Sequence, residues 1–175
     1  MMLGIGKGIK RIALAAVVLA AAGCGFQLAG SGSLPAGMSA TYLDSAAPRS
    51  EFSSSLTEAF RSRGVDLVDS RSEAGATLVI SEDTTGQRVL SVSTRNTPRE
   101  YEVYYSITFA LVVGGQALIE PEFLIARRNY TYDETEVLGK ELEETQLRRA
   151  LADDLARQVV RRIEAAAAAP PRTPG

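Results

Sequence analysis

The chain holds one cysteine, Cys24, and its neighbours give that residue a particular chemistry. Ala21-Ala22-Gly23, directly before it, are small enough for a signal-peptidase pocket, and a thiol at that point can be acylated. Without a second cysteine no disulfide is available, so an unmodified thiol in an oxidising compartment would stay reactive. Other chemistry is hard to assemble. There is no histidine, the commonest general base and metal ligand. No G-x-S-x-G elbow or Walker loop is present, and Gly114-Gly115 reads as a plain turn. Acidic residues gather at Asp133-Glu134-Thr135-Glu136 and at Glu143-Glu144, but neighbouring carboxylates on a helix point apart and the first cluster lacks the spacing of a calcium loop. Both read as solvated surface. Tyr101, Tyr104, Tyr105, Tyr130 and Tyr132 fall on two strand-like segments; cross-strand packing is the plain reading and a partner interface the alternative. Neither catalytic residues, nor metal ligands, nor a cofactor are expected.

The segment that carries Cys24 has the order of a secretory signal. Lys7, Lys10 and Arg11 form a cationic start, and residues 12–22 are uncharged and apolar. An apolar run of roughly 7–15 residues suits a cleaved signal, whereas a spanning helix needs about 20. Ala21-Ala22-Gly23-Cys24 resembles the bacterial lipobox, with Ala21 where a leucine is usual. The resemblance implies lipidation of Cys24 and cleavage before it. At about 0.8 kcal/mol per buried CH₂, several acyl chains make a lasting anchor. Gly25, rather than an aspartate, follows the cysteine. By the same resemblance the destination is the outer membrane, on its periplasmic side.

Cleavage before Cys24 leaves 152 residues, one domain's worth, and a net charge of −5, because three of the 19 basic residues and none of the 21 acidic ones precede it. An acidic, histidine-free domain is a poor nucleic-acid binder. Residues 24–37, rich in Gly, Ser and Pro, read as a lipidated tether. Residues 38–43 suit a short strand. Residues 48–63 suit a helix with Ser50 as N-cap, Phe52, Leu56, Ala59 and Phe60 on one face and Gly64 as its stop. A brief extension follows at 65–68. Residues 76–93 hold two β-rich runs, readable as a hairpin or, preferably, as one long bent strand. Tyr101, Val103, Tyr105, Ile107, Phe109, Leu111 and Val113 alternate with Glu102, Ser106 and Thr108, the clearest strand of the chain. Residues 123–132 suit a last strand with Pro121 near its start. Leu147, Leu151, Leu155, Val159 and Ile163 recur every four residues along a helix over 140–164, with Ala150 widening the stripe. The order β-α-β-β-β-α predicts an α+β two-layer sandwich over 38–165, a mostly antiparallel four-stranded sheet covered by two helices, with a disordered tail at 166–175.

Several short motifs, in order over most of the mature chain, carry a family resemblance. Gly23-Cys24-Gly25-Phe26-Gln27-Leu28, Leu34-Pro35 and Met38 leading to Leu43-Asp44-Ser45 are similar to the start of the LPS-assembly lipoprotein LptE family. Arg95-Asn96 with Glu100-Tyr101, Arg127 before an aromatic pair and Asp133, and Lys140 opening the final helix continue the match. The Phe26-Gln27 pair and the short loop with Pro98 depart from the family's usual pattern. The resemblance implies a plug and assembly partner of the LptD β-barrel that binds lipopolysaccharide and helps deliver it to the outer leaflet. It implies lipopolysaccharide contacts at Arg95 and Lys140. Arg99 and Arg127 are further candidates, since guanidinium suits phosphate bidentately. The alternative is another periplasm-facing lipoprotein module, a barrel-assembly accessory or a lipid carrier.

Overall fold

The structure is a computed structural model describing residues 33–131 and 137–169, with side chains of the final helix described from residue 142. Cys24, most of the tether, Tyr132, the acidic run at 133–136 and residues 170–175 lie outside the described residues.

β1 (Ala40–Ser45) follows a 3-10 turn and runs parallel to both its neighbours, β2 (Asp66–Val68) and β3 (Ala76–Val92). β3, β4 (Pro98–Val113) and β5 (Gln116–Thr131) form an antiparallel meander, and the sheet order is β2-β1-β3-β4-β5. The sheet therefore has five strands where four were expected. The added strand is the brief extension after the first helix, and three residues are too few to show a period. The short ladders are parallel and the long ones antiparallel.

α1 (Glu51–Arg61) starts where Ser50 Oγ accepts the Ser53 N–H at 2.9 Å. It ends in a Schellman arrangement: Val65 N–H donates to Phe60 O, Gly64 N–H to Arg61 O, and Gly64 takes φ +74°. α2 (Val137–Ala168) buries Leu151, Leu155, Val159 and Ile163 as expected. Ala150, however, is exposed; the stripe is widened by Ala152, Ala156 and Val160, one position round the helix. α2 also continues three residues past 165, into the stretch read as tail. Both helices bury their apolar stripes against one face of the sheet, in a core with Leu78, Ile80, Val103, Tyr105, Ile107, Phe109 and Leu111.

β3 is one long strand, the preferred reading of 76–93. Its bend is a bulge: Ile80 pairs with Phe109 and Glu82 with Thr108, so Ser81 is extra. The bulge reverses which side chains face the helices, from even numbers before it to odd numbers after it. β5 begins directly after Gly114 and Gly115, whose φ values of +58° and +82° suit a two-residue type I′ hairpin. The last strand thus starts seven residues earlier than expected. Pro121 falls inside it, at a second bulge between the rungs Leu111–Ile119 and Phe109–Glu122. An edge strand tolerates the missing N–H there.

Candidate functional site

The sequence-derived cations are placed along the outer part of the β3–β4–β5 meander and the start of α2. Arg95 sits in the β3–β4 turn, which Ser93 closes: its N–H donates to Thr97 O at 2.7 Å, and its Oγ accepts from Arg95 and Thr97 N–H, each at 3.3 Å. Asn96, with φ +61°, lets the chain reverse. Arg95 and Arg99 are exposed, and among the described residues neither guanidinium has a hydrogen-bond or ion-pair partner. Arg99 lies at an irregularity of the β3–β4 ladder, between the rungs Val92–Pro98 and Ser91–Glu100, whereas strand alternation places Arg127, paired with Tyr104, on the bare face, the side of the sheet that no described helix covers. Five residues of strand separate Arg99 from Tyr104, on the order of 16 Å. Arg127 therefore does not share one pocket with the turn. Lys140 lies in the first turn of α2, and its side chain is outside the described set.

Arg127 belongs to a group that the sequence did not disclose. Glu102, 8% exposed, lies on the bare face between Arg88 and Arg127. Its Oε1 is 2.8 Å from Arg88 Nη2 and 3.7 Å from Arg127 Nε. Neither contact is aligned as a hydrogen bond. The group forms because Arg88 pairs with Glu102 across β3–β4 and Arg127 lies one rung along on β5. No local spacing of Arg88, Glu102 and Arg127 could have signalled it; only the strand register brings them together.

Under the helices a second polar node ties layers together. Tyr105 O–H donates to Asp83 Oδ1 at 2.7 Å, Ser50 O–H donates to Asp83 Oδ2 at 2.5 Å, and Phe52 N–H reaches the Tyr105 oxygen at 3.4 Å. Burial, reinforced by the Asp83 carboxylate, pushes the Tyr105 hydroxyl well above the ordinary tyrosine value. Its role is to lock the start of α1 onto β3 just past the bulge. Tyr101 and Tyr130 follow the packing reading, stacked at 5.6 Å between ring centres. Among the described residues no cluster of three metal-ligating side chains is formed, and no helix is long and apolar enough to cross a membrane.

The fold of this α+β domain is similar to that of several solved bacterial lipoproteins. Lipoprotein B of Nitrosomonas europaea superposes with TM-score 0.67 at 24% identity, over 81% of this chain and 91% of that one. Rare lipoprotein B of Shewanella oneidensis gives 0.63 at 23%, over 72% and 94%. A minor lipoprotein of Acinetobacter baumannii gives 0.61 at 26%, over 75% and 94%. The particular family follows from sequence: residues 38–163 match the family described as "LptE: Lipopolysaccharide-assembly", and the chain belongs to it. It is 27% identical to the LPS-assembly lipoprotein LptE of Pectobacterium atrosepticum over 154 residues, 87% of this chain and 83% of that protein. It is 26% identical to the namesake of Yersinia enterocolitica over 157 residues, 89% and 75%.

Proposed function

We propose that this lipopolysaccharide-assembly protein is acylated at Cys24, held by lipid at the periplasmic side of the outer membrane, and seated in the LptD β-barrel as plug and assembly partner. In that place it binds lipopolysaccharide and supports its delivery to the outer leaflet; its work is binding rather than catalysis. The observation that carries the reading is the family match over 38–163, which spans both structural layers. Arg95 and Arg99 at the hairpin tip, without a partner among the described residues, support it, because guanidinium groups can meet lipid phosphates with charge-assisted hydrogen bonds. A lipid carrier would need an apolar cavity for acyl chains, whereas the helix–sheet interface is occupied by Phe52, Phe60, Tyr105 and Phe109.

Purification of the lipidated protein from native outer membranes tests the partnership. Co-elution with a large β-barrel identified as LptD is expected, and a monodisperse, barrel-free lipoprotein would overturn it. Replacing Arg95 and Lys140 together by Asp is expected to weaken lipopolysaccharide pull-down while barrel association persists. Unchanged pull-down would remove these two residues from the binding role. Metabolic labelling with palmitate should mark the wild-type chain and not Cys24→Ala.

A further inference from the structure

We propose that the bare face of the sheet carries a second polar site, built from Arg88, Glu102, Tyr104 and Arg127, that takes a phosphate-bearing sugar of a glycolipid headgroup. The inference rests on the reading that this protein binds lipopolysaccharide, and it assigns a contact away from Arg95 and Lys140.

Two adjacent rungs across three strands make the site. Arg88 faces Glu102 on one, and Gly86, Tyr104 and Arg127 line up on the next. Three properties of the group point to a ligand rather than to a closed ion-pair ladder. The Glu102 side chain is only 11% exposed, yet its Oε1 has no aligned donor, only the charge of the two guanidinium groups beside it. A buried carboxylate oxygen left so is normally completed by O–H or N–H donors. Next, the two arginine side chains keep 60% and 52% of their surface exposed and offer five N–H donors each, of which Glu102 aligns none. The group carries a net positive charge in a chain that is acidic after Cys24. Finally, Tyr104 lies across β3 at Gly86, where an added Cβ would meet its hydroxyl at 2.6 Å and its Cζ at 2.8 Å. The glycine thus lets the aromatic ring lie down on the sheet over β3. Guanidinium forks suit phosphate oxygens, the carboxylate suits sugar hydroxyls, and the ring offers a flat surface for the sugar. A bare phosphate would engage only the arginines.

The test uses the full lipidated chain in detergent, with diphosphoryl lipid A and its dephosphorylated counterpart as probes. Arg88→Gln with Arg127→Gln is expected to weaken binding of diphosphoryl lipid A by at least about tenfold, since hydrogen bonds to charged groups are among the strong ones. Affinity for the dephosphorylated probe should stay within about twofold. Because removing the arginines strands a buried carboxylate, Arg88→Gln/Glu102→Gln/Arg127→Gln provides a second variant without that penalty, and it should lose the same preference. Inorganic phosphate at millimolar concentration should not displace the lipid. The charge-matched pair Arg61→Gln/Arg157→Gln, on the helices, should bind as wild type does. An equal loss in that pair, an unchanged preference in both site variants, or displacement by inorganic phosphate overturns the site. If the wild type binds neither probe, the lipopolysaccharide reading falls and this inference with it. If Arg95→Asp/Lys140→Asp weakens binding and the site variants do not, only this inference falls.

Discussion

The two ends of β3 are one continuous strand with opposite surroundings. Its first five residues alternate between buried and half-buried, flanked by β1 and β4 and covered by the helices. Beyond the bulge at Ser81, β1 has ended, at the rung Ser45–Ile80, and the backbone of β3 is paired with β4 alone. None of its last twelve residues is buried, and Val89, Leu90 and Val92 are 46%, 42% and 54% exposed. Backbone pairing runs through both ends. What differs is apolar burial, so the inner end should carry folding stability and the outer end should be free to carry charge and contacts. The bulge and the Ser50–Asp83–Tyr105 node sit where one regime gives way to the other.

The largest expected effect lies at the inner end. Phe109→Ala, at a fully buried ring opposite Ile80, should cost about 3–5 kcal/mol in urea unfolding. A loss below about 1 kcal/mol would mean that the helices do not clamp this part of the sheet.

At the boundary, Tyr105→Phe should cost about 1–3 kcal/mol, because Asp83 loses a donor inside the fold and the Phe52 N–H loses its acceptor. The same residue gives a pH signature. Its hydroxyl holds its proton more tightly in the folded chain than in the unfolded one. This contribution is complete below the unfolded tyrosine value of about 10 and falls as pH rises above it, when the unfolded chain releases a proton that the folded chain keeps. Wild type should therefore lose stability above about pH 10 more steeply than Tyr105→Phe. Parallel slopes would place the hydroxyl in contact with water. Ser50→Ala, which removes the cap of α1 and a second Asp83 bond, should cost about 1 kcal/mol by the same assay.

The bulges also explain which parts of this fold were legible. β4 lies between two neighbours that shift register against it, β3 between Thr108 and Phe109 and β5 between Phe109 and Leu111, while β4 itself keeps strict alternation from Val103 to Leu111. Its period was plain in the sequence. β3 reverses parity at Ser81, so its core-facing residues are even before the bulge and odd after it, and the run looks like two fragments. β5 reverses around Pro121, which hid its first residues. The α2 stripe was legible through its leucines, but Ala150 and Ala152 are alike in type and only packing decided between them. The motif around Cys24 is contiguous and so can be read as an expectation, though it lies outside the described residues. Arg88, Glu102 and Arg127 lie on three strands, and their grouping depends on register, which no local pattern encodes.

The smallest expected effect is the one that most sharpens the contrast between the ends of β3. Val89 sits opposite Tyr101, on the side that would be core if the helices reached it, yet nearly half its surface is open. Val89→Thr keeps the β-branched shape and the strand preference while removing apolar character. If the outer end contributes no burial, thermal unfolding should shift by no more than about 0.5 kcal/mol, the range of ordinary surface substitutions. A cost approaching that of Phe109→Ala would show that the apolar residues of the outer end are covered in the folded chain. The division of β3 into a folding half and a contact half would then fail, because one core would run its whole length.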